Sequence, residues 1–214
     1  MAQEELSGFL ITAAIAGDIT RANDLLDAGA DVNANRNGST ALMWASNGGH
    51  IDIVKLLLDR GSDPNLKDEY SSAALIEASR FGFTEIVKLL LDHGAEPNIR
   101  DNDGGGALIW AASNGHSDTI RLLIKHGADP DLADSDGWTA LMEAALNGYP
   151  DTMAMLIQYN ADPGIRNKGG MTAIDVLKKH HPKIHSKWTR QIREKTLKLE
   201  DSVNNSECIP DFSI

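Results

Sequence analysis

Three observations predict an all-α fold, a solenoid of stacked helical units. Gly-Ala-Asp-like triplets begin at Gly29, Gly61, Gly94, Gly127 and Asn160, at spacings of 32, 33, 33 and 33 residues. Each triplet closes an apolar run with helical spacing, such as Ile120 to Ile124 before Gly127. A polar loop, a second Gly and a short Ala-rich segment then follow, as in Gly137-Trp138-Thr139-Ala140-Leu141-Met142-Glu143-Ala144-Ala145. A constant period of this length makes one small packing unit, buried against its neighbours, the basis of the fold.

The first unit, residues 6–33, is atypical. Gly8 to Ala16 is expected to form a short helix burying Leu10, Ala13 and Ala14, and Ile19 to Ala28 a second helix carrying Leu25 and Leu26 inward. Neither is long enough to be stable alone. The second unit, 36–67, opens on the turn pair Asn37-Gly38, where glycine takes a positive φ without a Cβ clash. Thr40 is placed to cap the helix that follows. In the second helix of this unit Ile53, Val54, Leu57 and Leu58 form one apolar stripe, while Lys55 and Asp59 make an i, i+4 pair on the wet side. Gly61 is the expected left-handed cap.

Units three to five repeat the plan: Ala74 to Ala78 then Ile86 to Leu91, Ala107 to Ala112 then Ile120 to Ile124, and Ala140 to Ala145 then Met153 to Ile157. A sixth unit starts at Gly169-Gly170-Met171-Thr172-Ala173. This reading divides the chain into a repeat domain at 1–180, a basic amphipathic capping helix at 183–200 and a flexible tail at 201–214.

These units resemble ankyrin repeats over about residues 6–180, through the Gly-Ala-Asp-x-Asn-like ending and the Asp-Gly-x-Thr-Ala-Leu-like opening. The resemblance implies a β-turn finger, two antiparallel helices and a loop per unit, with first helices and fingers lining a concave binding surface. The chain departs from the family's Thr-Pro-Leu-His opening, with Ala41, Ala74, Ala107 and Ala140 in place of Pro and Met43, Ile76, Ile109 and Met142 in place of His. Asn160 replaces a helix-ending Gly, and Asn tolerates the same left-handed geometry.

By the same resemblance the next first-helix position, occupied by Trp44, Glu77, Trp110 and Glu143, faces the groove. At a helix spacing of about 10 Å the two tryptophans stand about 20 Å apart. A peptide with apolar anchors near the indoles and Lys or Arg near the carboxylates suits such a row. Asn47, Arg80, Ser113 and Leu146 lie one turn further along and widen the contact; Tyr70 and Trp138 are the notable residues at the finger tips.

Bulk properties agree with an interaction module. The 214 residues are 42% hydrophobic and only 5% aromatic, so Leu, Ile and Ala must supply the burial. The net charge is −11, but residues 178–200 carry eight Lys or Arg against Glu194 and Glu200, leaving a strongly acidic remainder. That body disfavours nucleic acid and favours a basic partner. No apolar run approaches the length of a membrane span, the acidic start Met1-Ala2-Gln3-Glu4-Glu5 is unlike a secretory signal, and the single Cys208 excludes an intramolecular disulfide framework. An intracellular setting is expected.

Chemistry finds little foothold. His50 and His116 recur at one repeat position, which an inter-repeat hydrogen bond or a helix start explains. His93 and His126 precede helix-ending glycines. His180, His181 and His185 lack the companions of a zinc set; Cys208 lacks a local base; Gly104-Gly105-Gly106 reads as a flexible finger, without the Gly-Lys-Ser/Thr ending of a phosphate loop. The finger aspartates lack EF-hand order. The expectation is therefore a protein-binding adaptor, scaffold or inhibitor with no cofactor and no enzymatic activity. The alternative is a structural or regulatory subunit docking through the basic helix, and an enzyme using Asp175, His180 and His181 ranks last.

Overall fold

The computed structural model describes residues 2–188. Paired helices follow one another along the chain: α1 (Gln3–Ala16) and α2 (Ile19–Asp27), α3 (Ala41–Asn47) and α4 (Ile51–Asp59), α5 (Ala74–Arg80) and α6 (Thr84–Asp92), α7 (Ala107–Ser113) and α8 (Ser117–Lys125), α9 (Ala140–Leu146) and α10 (Pro150–Gln158), then α11 (Ala173–His180). The strands β1 (Asn35–Arg36) and β2 (Ser39–Thr40) form an antiparallel finger, and single bridges close the fingers at Arg100 with Gly106 and Ala133 with Thr139. The first helices α1, α3, α5, α7, α9 and α11 pack in that order, and α2, α4, α6 and α8 pack behind them. Each unit therefore buries its apolar side against the units before and after it.

Small residues make this stacking close. Ala41, Ala74, Ala107 and Ala140 are fully buried at the helix starts, and Ala45, Ala78, Ala111 and Ala144 one turn on. The second helices fill the remaining space with Leu57, Leu90, Leu123 and Leu156, also fully buried. Met43, Ile76, Ile109 and Met142 are buried as well, so apolar packing occupies the position at which the resemblance places histidine. Thr40 and Thr139 cap α3 and α9 by accepting from the backbone N–H groups of Met43 and Met142. Gly61 (φ 85°) and Asn160 (φ 66°) both take the left-handed conformation.

Side-chain brackets lock successive loops. Asn65 accepts from Glu96 N and donates to the Gly94 carbonyl; Asn98 accepts from Asp129 N and donates to the Gly127 carbonyl. Within the fingers, Asp68, Asp101 and Asp134 each accept two backbone N–H bonds through Oδ1, from Tyr70 and Ser72, Asp103 and Gly105, and Asp136 and Trp138. The Gly104-Gly105-Gly106 finger is closed by this clamp and by Arg100, which donates to the carbonyls of Gly104 and Ala133. Fingers also join one another: Asn102 N donates to Tyr70 O, Ser135 N to Asp103 O and Lys168 N to Asp136 O.

Two local expectations are corrected. Helix α1 begins at Gln3, five residues before Gly8, because the Glu5 carboxylate accepts the Ala2 N–H and closes a first turn ahead of the glycine. The Lys55–Asp59 pair is not among the ion pairs of the described residues; Asp59 lies instead 3.9 Å from His93 Nε2, whereas Lys88 and Asp92, at the same spacing one unit later, are paired. At the end of the stack, residues 182–188 are helical and Trp188 is only 4% exposed. Most of the expected capping helix at 183–200, and the whole of the expected tail at 201–214, lie outside the described residues.

Candidate partner-binding face

The first helices present one row of side chains from successive units, and adjacent units are matched across it. Asn47 Nδ2 donates to Glu77 Oε2 at 2.9 Å. The Arg80 guanidinium lies over the Trp110 ring, 4.1 Å from its centroid. The Ser113 hydroxyl lies near enough to the Glu143 carboxyl to favour its charged form. Each pair spans 30 residues and crosses one unit boundary. Ile15 and Trp44 hold the corresponding positions at the first boundary, and Leu146 and Val176 at the last. Both members are thus matched in kind at every boundary: apolar with apolar, amide or hydroxyl with carboxyl, cation with aromatic face.

Around Trp110 the pairing grows into a network. Its indole N–H donates to Asp101 Oδ2 (3.1 Å), the same aspartate whose other oxygen clamps the finger. Glu77 also accepts from Ser72 Oγ (2.8 Å) and stands 3.9 Å from Arg80. The carbonyl of Arg80 in turn faces His116 Nε2 at 3.1 Å. A cation over an aromatic face, partly shielded from water, contributes about 1 kcal/mol. Arg80, Trp110, Glu77 and Asp101 are consequently held in one arrangement.

Trp44 differs. It is 39% exposed, and among the described residues no hydrogen bond or cation is recorded on its ring. Tyr70, at a finger tip, is 67% exposed, while Trp138 is half-buried and packed on the core. Leu146 also packs on the core, and its carbonyl faces His181 Nε2 at 2.8 Å. Among the described residues, six of the seven large apolar side chains left exposed, Phe9, Ile15, Ile19, Trp44, Tyr70 and Phe81, belong to the first three units. Between α1 and the first finger lies an open recess of about 520 Å³, lined in part by Gln3, Glu4, Ile11 and Arg36. Single-position reading of the sequence passes over Asp101, Ile15 and Phe81; the 33-residue recurrence of Asp68, Asp101 and Asp134 is the signal that finds the first of them.

The inter-repeat role of the histidines is visible directly. His50 Nε2 lies 3.3 Å from Ile15 O, and His116 and His181 make the equivalent approaches to Arg80 O and Leu146 O. Phe83 and Tyr149 fill the alternate positions, against Gly49 and Gly115. Among the described residues no cluster of three metal-ligating side chains occurs.

Burial raises the pKa of Glu143 above its ordinary value of 4.5, and the Ser113 hydroxyl offsets this in part. The folded state therefore binds the proton more tightly than the unfolded chain. Its contribution to stability is complete below the unfolded pKa and is lost as pH rises through the folded one. Glu143→Gln keeps an acceptor for Ser113 and removes the buried charge. Thermal melts should show the variant to be the more stable at pH 7, with the difference vanishing below the ordinary glutamate pKa.

Comparison with known proteins agrees with this architecture. A sequence model of three ankyrin repeats matches residues 9–101 and again 75–167. "Ankyrin repeat and KH domain-containing protein mask-1" of Caenorhabditis elegans is 38% identical over 71 residues, 33% of this chain and 3% of that protein. Human mitochondrial disaggregase is 47% identical over 64 residues, 29% of this chain and 9% of that protein. The mouse 2-5A-dependent ribonuclease is 47% identical over 58 residues, 26% of this chain and 8% of that protein. The matched segments span less than a tenth of each of these relatives. Among the described residues no helix is long and apolar enough to cross a membrane. Ankyrin repeats are in general protein–protein interaction modules, and their period, paired helices and fingers are those described above: the chain belongs to the ankyrin-repeat family.

Proposed function

We propose that the chain acts as an intracellular adaptor or scaffold that holds another protein on its concave face and finger tips, with Trp44 as the principal anchor. The observation that carries this reading is the contrast between two tryptophans at one repeat position. Trp110 is covered by Arg80 and tied to Asp101, whereas Trp44 presents more than a third of its surface to solvent, with Ile15 in the register that Arg80 holds for Trp110. An exposed aromatic ring on a rigid helix is the kind of group that dominates binding energy, because it buries a large area at small entropic cost. Tyr70 extends the contact toward the fingers. The acidic body supports a partner carrying Lys or Arg around an apolar anchor. Asn47, Glu77, Arg80, Trp110, Ser113 and Glu143 hold the face in shape through their paired contacts and offer their outer surfaces to the ligand; Trp138 and Leu146 border it.

The test is affinity capture from cell extract with the wild type and with Trp44→Ala and Trp110→Ala proteins of verified fold. Trp44→Ala is expected to weaken the captured partner by roughly 30-fold, the effect of losing a hot-spot aromatic of about 2 kcal/mol, with little change in melting temperature. Trp110→Ala should lower both binding and stability, because it also frees Arg80 and Asp101. Equal retention by wild type and Trp44→Ala would reject this face. Loss of the partner only on deleting residues 183–200 would transfer the function to the basic segment.

A further inference from the structure

We propose that Asn37 is a site of spontaneous deamidation and isoaspartate formation, distinguished by the fold from three other Asn–Gly pairs. The sequence contains Asn37-Gly38, Asn47-Gly48, Asn114-Gly115 and Asn147-Gly148. Chemistry favours all four, since glycine leaves the following amide nitrogen unhindered. In the reaction that nitrogen gives its proton to hydroxide and attacks the side-chain Cγ. The Cγ–Nδ2 bond breaks, ammonia leaves, and a five-membered succinimide remains. Water then opens either carbonyl, giving aspartate or, with the backbone rerouted through the side chain, isoaspartate. The leaving nitrogen takes its proton from water and so returns the hydroxide; one water per residue is consumed.

Three of the pairs are restrained at both reacting groups. Each ends a first helix. Gly48 N donates to Trp44 O (2.9 Å), Gly115 N to Ala112 O (3.2 Å) and Gly148 N to Ala145 O (3.3 Å). Their carboxamides are held too: Asn47 on Glu77, Asn114 on Trp110 O, and Asn147 on Glu143 O and Ser113 Oγ. Attack requires the glycine nitrogen and the carboxamide to leave these partners together.

Asn37 stands at the tip of the first finger, between β1 and β2, and is exposed. Among the described residues its carboxamide has no hydrogen-bond partner, which sets it apart from the other three; the Gly38 N–H makes one bond, 3.3 Å to Asn35 Oδ1, as long as that of Gly148. Both residues have positive φ, 55° and 82°, as a tight hairpin turn requires. Conversion would place a new carboxylate against the second finger, where Gly38 already lies close to the Asp68 and Glu69 backbone. The isoaspartyl form would also lengthen the turn of the hairpin by one backbone atom. The first finger would thereby acquire a slow, irreversible change of charge at an Asn–Gly pair that no other finger carries.

The experiment is incubation of the intact folded protein at mildly alkaline pH, with peptide mapping for a gain of one mass unit and enzymatic methylation to detect isoaspartate. A parallel sample is held unfolded in denaturant. Unfolded, the four pairs are expected to convert at similar rates. Folded, Asn37 should convert about fivefold or more faster than Asn47, Asn114 and Asn147, the factor expected when a carboxamide hydrogen bond must open as well. Asn37→Gly, which keeps the positive φ and lacks the carboxamide, should show no isoaspartate at this peptide. Equal rates for the four sites in the folded protein, or earlier conversion at any of the other three, would overturn the assignment.

Discussion

Replacing Leu123 by alanine is expected to destabilise the protein by about 3–4 kcal/mol, the cost of deleting a large side chain from a site that cannot collapse. Leu123 lies on α8 and is fully buried. Its helix packs between α7 and α6, in the fourth of six units. In a stack of this kind each unit is stabilised chiefly by its neighbours, so a cavity in a central unit weakens the boundary on each side. Urea denaturation should show a much lower midpoint, and two separated transitions if the boundaries uncouple. Arg121→Ala, at an exposed position two residues away on the same helix, should stay within about 0.5 kcal/mol of wild type. A Leu123→Ala midpoint close to that of wild type would contradict the packing described here.

Much of the fold is legible because one pattern is written six times. The glycine period marks helix ends, and the Leu57, Leu90, Leu123 and Leu156 row marks the buried side; both are properties of single positions. Legibility fails where a residue's state depends on a partner 30 positions away. Trp44 and Trp110 are the same residue at the same repeat position, yet Ile15 holds for one the register from which Arg80 covers the other. Glu77 reads as an open carboxylate until Asn47 and Ser72 are seen to donate to it. Gly8 reads as the start of the first helix, but α1 begins at Gln3 and runs through it, and a Cβ added there would meet nothing. The exposed Lys55 and Asp59 illustrate a different limit: an i, i+4 pair in water is worth only a few tenths of a kcal/mol, too little to decide whether it forms.

The glycines that look alike in the sequence are expected to behave very differently on substitution. Gly82 and Gly94 both follow helices and both have positive φ, 71° and 87°. A Cβ at Gly94 would meet nothing within 4 Å, so Gly94→Ala carries only the left-handed backbone penalty of roughly 1–2 kcal/mol. At Gly82 the same Cβ would fall 2.5 Å from His116 Nδ1 and 2.6 Å from its Cγ. The imidazole cannot simply withdraw, because its Nε2 approaches the Arg80 carbonyl and thereby joins the third unit to the fourth. Overpacking adds about 1–3 kcal/mol to the backbone term, so Gly82→Ala should cost about 2–5 kcal/mol in all. The double variant Gly82→Ala/His116→Ala separates the two causes. It removes the ring and should recover the overpacking part, apart from what loss of the His116 contact itself costs. Equal destabilisation by Gly82→Ala and Gly94→Ala in parallel melts would show that the histidine moves aside freely and that the bracket between units three and four is not rigid.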